Sequence, residues 1–304
     1  MKKFKDFALY VLLFIVSLFL WSCSEEKLDP NSIFETEKEQ QNEFDKWLYT
    51  NLTVPYNIQF KYKFDDKESD NTYNLSPAEY DKSVAIAKLV KHLWIDSYNE
   101  LMGKDFLAQY SPRLFFLVGS KAYNSQGSVV LGTAEGGLKI TLYNVNSIDL
   151  EELDIDMLNY WYFKTMHHEF AHILHQTKNY TTDFNLISAS DYQSGSWVNV
   201  NDTTALNMGF ISPYGSSETQ EDFVELIAVY VTNTEAHWQA LLAEAGEPWD
   251  KDDNGKTGKA KIEEKFAIVK DYLATSWNID IKKLREIVLR RCDEVETLDL
   301  QSFD

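Results

Sequence analysis

The chain has 304 residues, 44% of them hydrophobic and 14% aromatic, which is enough apolar material for a large core and too much for a disordered protein. Its 29 Lys and Arg against 48 Asp and Glu give a formal net charge of −19, a field that repels a phosphate backbone and argues against a nucleic-acid partner. Two cysteines, Cys23 and Cys292, are too few for a disulfide framework.

Lys2, Lys3 and Lys5 precede an apolar run from Phe7 to Trp21, broken only by Ser17, that ends in Leu20-Trp21-Ser22-Cys23. A basic start and so short an apolar stretch read as an export signal rather than a membrane span. The apolar residue three before Cys23 and the small residue directly before it resemble the lipobox of bacterial lipoproteins, with Trp21 a bulky departure. The resemblance implies removal of residues 1–22 and lipidation of Cys23, which holds a protein on a membrane surface without spanning it. An uncleaved single-span anchor is the alternative. Ser24-Glu25-Glu26 resembles the short acidic signals that send some Gram-negative lipoproteins to the outer face of the outer membrane. Removing residues 1–22 takes away three Lys and one Asp, leaving 26 basic and 47 acidic residues and a net charge of −21. Cys292 then remains as a lone thiol and reads as a small core residue on a helix.

Residues 23–42 are polar and acidic and suit a tether. A single domain is expected over 43–304, with an α/β lobe over about 43–177 and a mostly helical lobe over about 178–304. Residues 43–50 suggest a short helix, Tyr56–Phe64 alternates as a strand, and Ser76-Pro77-Ala78-Glu79 matches a capping box ahead of a helix to about Met102. Arg113–Gly119, Ser128–Gly132 and Gly137–Tyr143 read as strands between Gly, Asn and Ser turns. An aromatic-rich helix follows over about 150–177. Loops are expected over 179–217, then helices over about 218–245, 258–276 and 279–295. With no repeat in view, the fold class is α+β: an active-site helix on a small mixed sheet, with a helical C-terminal lobe.

His168-Glu169-Phe170-Ala171-His172 has the spacing H-E-x-x-H. Residues four apart on a helix share a face, so both imidazoles can point at one Zn²⁺, and Glu169 can take a proton from a zinc-bound water. The surrounding apolar run (Met157, Tyr160, Trp161, Phe163, Met166, Ile173, Leu174) would hold the ligands in a core. A catalytic zinc needs a third protein ligand and an open position. His175 lies on a similar face, but three ligands on one straight helix cannot surround an ion, so it reads as a core residue or one supporting a ligand. Glu221 and Glu225, four apart at the start of an apolar helix, share one face and need a partner. Glu221 would complete a two-His, one-Glu site and Glu225 would take a proton from a ligand ring. An acidic first helical turn is the simpler account of Glu221, though not of Glu225.

Ser212-Pro213-Tyr214-Gly215, with Glu221 seven residues after the Tyr and Glu225 four beyond, resembles the lethal-factor-like gluzincin peptidases. That resemblance implies a zincin fold, Glu221 as zinc ligand and Tyr214 as the donor to the oxyanion of the tetrahedral intermediate. The whole chain is more similar to the zinc-binding metallopeptidase lipoproteins associated with substrate-import loci, through His168–His172, Glu221-Asp222-Phe223-Val224-Glu225 and Trp277-Asn278-Ile279-Asp280. This similarity implies one Zn²⁺ per chain, a peptide or protein substrate, a surface location and outer-membrane nutrient-import components as partners.

Asp250, Asp252, Asn254 and Gly255 match positions 1, 3, 5 and 6 of a Ca²⁺ loop, but Lys261 stands where the loop requires a bidentate Glu, so an ordinary turn is the simpler reading. Gly132–Leu138 could be an edge strand that pairs with an extended substrate, or a plain hairpin. The combined expectation is a surface-displayed zinc metallohydrolase, most simply a peptidase. The alternatives are a non-catalytic nutrient- or peptide-binding lipoprotein on the same scaffold, which has no use for Glu169, and a structural zinc site closed by His167 or His175.

Overall fold

Leu114-Phe115-Phe116-Leu117 carries no polar residue on either face, the composition of a strand covered on both sides. In the computed structural model, which describes residues 41–123, 129–130, 132–135, 138–246 and 255–303, this strand, β2 (Leu114–Leu117), is indeed internal. It lies between β1 (Gln59–Lys61) and β6 (Lys139–Leu142), parallel to both, and β5 (Gly132–Glu135) forms the far edge, antiparallel to β6. Phe115 and Leu117 face the main core with Ile140 and Leu142. Phe116 and Val118 face a second, smaller cluster with Ala122 and Tyr143, roofed by Phe64, Tyr73 and Leu75. A separate pair, β3 (Ala122–Tyr123) and β4 (Val129–Val130), is antiparallel. The signal, Cys23, Gly136-Gly137 and Asp250, Asp252 and Asn254 of the segment with partial Ca²⁺-loop spacing lie outside the described residues.

The structure revises several expected boundaries, each for a local reason. Helix α1 (Glu43–Leu48) is capped reciprocally by Asn42 and Asp45, then widens into a π turn over Tyr49–Thr53 and a helical turn at Val54–Tyr56. That leaves three residues for β1, because Asn57 turns the chain out of the helix at φ +55°. The capping box expected at Ser76–Glu79 does not form. Asn146 holds this segment instead, accepting from the Glu79 N–H at 2.8 Å and donating to the Pro77 carbonyl at 3.1 Å. The helix then starts as α2 (Tyr80–Leu89), passes through a π turn at Val90–Ile95 and continues as α3 (Asp96–Met102). Gly103, at φ +82°, separates it from a helix the sequence pattern did not disclose, α4 (Lys104–Tyr110).

Trp94 links the sheet to the helices. Its ring meets Phe115 of β2 edge-on at 6.1 Å and Phe170 at 5.3 Å. Phe170 belongs to α6 (Lys164–Thr177), which follows α5 (Ile155–Leu158) and a third π turn, Asn159–Phe163. The expected continuous helix over 150–177 is therefore shorter and is re-phased one turn before its histidines, as π turns at functional positions often are. Past α7 (Phe184–Ile187) and α8 (Asp202–Met208), helix α9 (Thr219–Thr232) packs along α6. The helix expected over 218–245 breaks at Asn233, where Thr234 caps the N-terminus of α10 (Glu235–Glu244) by accepting from His237 N–H.

Helices α11 (Gly258–Trp277) and α12 (Ile281–Glu294) complete the core, with Cys292 buried in it. The Trp277–Asp280 motif makes the corner between them. Asn278 sits in the left-handed region at φ +58°, and the Asp280 side chain accepts from the Lys282 and Lys283 N–H groups. Trp277 packs on Phe106 and Tyr110, its indole donates to the Tyr272 hydroxyl, and Lys178 lies 4.1 Å over its ring. The corner thus ties α11 to α4 and to the end of α6. Among the described residues no helix is long and apolar enough to cross a membrane.

Candidate metal centre

Helix α6 owes its position to its apolar face: Met166, Phe170, Ala171 and Leu174 are all at most 2% exposed, so the opposite side of the same helix must carry His168 and His172 toward α9. Four-residue spacing sets the two imidazoles side by side, edge to face, with ring centroids 4.9 Å apart. Helix α9 supplies carboxylates to the same place. Glu221 Oε2 lies 2.9 Å from His168 Nε2 and 3.3 Å from His172 Nε2, and one donor atom from each of the three residues falls within 4.8 Å of the others.

A zinc ion fits this donor set. Two imidazole nitrogens and one carboxylate oxygen converge from two helices, a combination that suits Zn²⁺, and no fourth His, Cys, Asp or Glu joins the group among the described residues. His167, one of the two residues that would have closed the site, points away: its Nδ1 is 3.0 Å from the Tyr98 hydroxyl, and its Nε2 is buried with no hydrogen-bond partner among the described residues. Burial in that apolar setting lowers its pKa to about 3. His175, the other, lies behind His172, its Nε2 3.0 Å from His172 Nδ1, where it can orient the ring. Burial and the neighbouring His172 lower the pKa of His175 to about 4, so it is neutral and available as an acceptor.

Glu225 sits behind His168. Its Oε1 is 2.9 Å from His168 Nδ1, and its Oε2 accepts from Ser212 Oγ at 2.5 Å and pairs with Lys164 Nζ at 2.8 Å. Burial opposes the charge on Glu225, but Lys164 and His168 hold its pKa well below the carboxylate range. Lys164 was not singled out in the sequence, and Ser212 entered only as the first residue of the Ser212–Gly215 motif, with no role of its own. Lys164 did leave a signal, since it lies four residues before His168 on the same helical face. The role of Ser212 was not legible from the motif, because it depends on the turn in which its hydroxyl also accepts from Gly215 N–H at 3.2 Å.

In the metal-free cluster, burial lowers the pKa of His168, but hydrogen bonds to Glu221 and Glu225 outweigh it and raise the value to about 9. Glu221 is the counterpart: burial raises it, and His168 and His172 bring it down to about 2. Glu169 is shifted upward by burial despite the two histidines, which favours a group that can accept and return a proton. Tyr214, in the turn Tyr214–Ser216 that leads into α9, lies 5.7 Å from the His168 ring, centroid to centroid. Burial, Glu221 and Glu169 push its phenol upward, so it remains a proton-bearing donor.

A buried ion pair supports the start of α9. Asp222, next to Glu221, is fully buried and pairs at 2.6 Å with Lys265 of α11, also fully buried. Tyr192 donates to the same carboxylate at 2.8 Å, and Lys265 donates to the Gly209 carbonyl at 2.8 Å while lying 4.1 Å over the Phe210 ring. The pair fixes the ligand-bearing helix to the C-terminal helices.

An α+β core, a helix with paired histidines and a facing carboxylate define a zinc-binding metallopeptidase class. The family described as putative zinc-binding metallo-peptidase matches residues 37–282, and the chain belongs to it. A solved structure, the crystal structure of a putative zinc-binding metallo-peptidase from Bacteroides caccae, is similar at 42% identity, with 90% of this chain and all of that one covered and a TM-score of 0.74. No curated protein matches the chain.

Proposed function

We propose that the protein is a zinc-dependent peptidase of the H-E-x-x-H, gluzincin type. The observation that carries the reading is the meeting of His168, His172 and Glu221 beside Glu169 and Tyr214. His168, His172 and Glu221 would hold the ion, which when bound supplies Lewis acidity toward water and a peptide carbonyl. Glu169 takes the proton of the attacking water and delivers it to the leaving amine, a role its raised pKa suits. The Tyr214 hydroxyl donates to the oxygen that becomes negative, a bond that strengthens as charge develops. Glu225 and His175 each accept a hydrogen bond from a ligand ring, from His168 Nδ1–H and His172 Nδ1–H respectively, and so hold the rings in one tautomer. Among the described residues no strand pairs with the outer edge of β5, where an extended substrate strand could add to the sheet.

Two measurements test this. Bound metal by mass spectrometry in the wild type and Glu221→Ala should show one zinc lost with the carboxylate; undiminished zinc would remove Glu221 from the ligand set. Cleavage of a peptide library should fall by about 10²–10⁴-fold in Glu169→Gln and about 10²–10³-fold in Tyr214→Phe. Cleavage untouched by the first would end the mechanism.

The setting belongs to the same proposal: lipidation at Cys23, display on the outer face of a bacterial outer membrane, and work beside nutrient-import components. The residues that support it are the basic start, the short apolar run and Ser22-Cys23. Metabolic labelling with a tagged fatty acid should mark the wild type and not Cys23→Ala. Surface proteolysis of whole cells should then remove the labelled protein.

A further inference from the structure

Between α7 and α8 the chain makes a turn that the mechanism does not use. Two bonds fasten its base to the site: Tyr192 to Asp222 at 2.8 Å, and Gln193 N–H to the Ser216 carbonyl at 2.7 Å. The chain then enters Ser194 at φ +47°, a left-handed conformation that a residue with a Cβ seldom adopts, and Gly195, where an added Cβ would meet nothing within 4 Å. One 3₁₀ turn follows, Ser194–Asn199, and none of its residues is buried. The segment is held firmly at its base, is strained at its bend and contributes nothing to the core.

What this turn presents is Trp197. Its ring meets that of Tyr214 edge-on, 5.0 Å apart and inclined at 73°, and Tyr214 in turn lies 5.7 Å from His168. The three rings form a contiguous row, His168, Tyr214 and Trp197, in which Tyr214 is 37% exposed and Trp197 is half-buried. An indole left partly in water, in contact with the Tyr214 ring, offers rigid apolar surface that a bound side chain can cover.

We infer that Trp197 is a specificity-determining residue: its indole forms one wall of a subsite beside the carbonyl that Tyr214 addresses, and the subsite takes an aromatic side chain of the peptide substrate. This rests on the peptidase reading above. The indole offers a rigid apolar surface at low entropic cost, and Tyr214 already occupies one edge of it, which leaves the remaining surface to pack against a flat side chain in an offset or edge-on arrangement. The strained bend at Ser194 and the tie to Ser216 keep Trp197 and Tyr214 in one relative position, so a side chain seated on the indole sets its carbonyl against the phenol.

The test uses binding, so that it reads independently of turnover. Zinc-loaded Glu169→Gln protein is titrated calorimetrically with two short peptide hydroxamates that differ only in carrying Phe or Gly beside the chelating group. The Phe compound should bind about 10-fold more tightly. Adding Trp197→Ala should abolish that preference, and Trp197→Phe should retain most of it. Equal binding of the two compounds to the Glu169→Gln protein, or a preference that survives Trp197→Ala, would overturn the assignment. Loss of zinc from Trp197→Ala, measured by chelator competition, would also overturn it, by showing that the residue merely supports the site. A wild type that cleaves no peptide would sink the peptidase reading instead, while the affinity ratio still decides whether Trp197 selects. Where peptides are cleaved, Trp197→Ala should raise KM for aromatic substrates more than it lowers kcat.

Discussion

His168 and Glu225 are joined by a 2.9 Å hydrogen bond between Nδ1 and Oε1, and the other oxygen of Glu225 is held by Lys164 and Ser212. The bond fixes which imidazole nitrogen is free to face Glu221 and His172. Glu225→Gln keeps the shape but replaces a charged acceptor with a neutral amide. Zinc affinity should fall about 10–100-fold, read by competition with a fluorescent chelator, while the fold is retained. Unchanged affinity would separate Glu225 from the orientation of His168.

The metal-free site should show a characteristic pH dependence. His168 is raised from its ordinary 6.5 to about 9, so its contribution to stability is fully present below pH 6.5 and is lost as pH rises through 9. Glu221 is lowered from 4.5 to about 2, so its contribution is present above pH 4.5 and is lost as pH falls through 2. His168 and Glu221 as a pair therefore stabilise the metal-free fold most between pH 4.5 and 6.5. Zinc requires the ring unprotonated, so its binding at pH 7 should release a proton. Calorimetry in two buffers of different ionisation enthalpy measures that proton, and melts of the metal-free protein should weaken from pH 6.5 to 9.

The Asp222–Lys265 pair should behave as a buried charge pair. Lys265→Met leaves Asp222 buried without its cation and should cost about 3–5 kcal/mol in urea denaturation. Combining Lys265→Met with Asp222→Leu should recover part of that loss, because the stranded carboxylate is then gone. Glu221 is the next residue, so the single variant should also bind zinc more weakly. Equal stability of single and double variants would show that the pair is not coupled.

What was legible in the sequence followed from periodicity. His168 and His172, Glu221 and Glu225 are each four apart, and a helix turns that spacing into a shared face wherever the helix is placed. Arg113–Gly119 was likewise legible as a strand, though its internal place in the sheet came only with the structure. The π turn at Asn159–Phe163 left no mark, because its widening answers to packing against neighbours and uses residues any helix would accept. Trp197 was hidden for a different reason. Its importance lies in the Gln193–Ser216 and Tyr192–Asp222 ties, which join residues 23 and 30 positions apart and have no local signature.

The Trp277–Asp280 corner was read as a mark of family resemblance, and its geometry makes it a structural device. Asp280 accepts from two otherwise unpaired N–H groups at the start of α12, while Asn278 takes the left-handed position that ends α11. Asp280→Ala should cost about 0.5–2 kcal/mol, the usual value of an N-cap, measured by urea denaturation at fixed pH. Asn278→Gly should cost much less, since Gly occupies that backbone region without strain. Neither residue touches His168, His172 or Glu221, so zinc stoichiometry should stay at the wild-type value in both variants. A loss of zinc without a loss of stability in Asp280→Ala would mean that the corner acts on the site rather than on the fold.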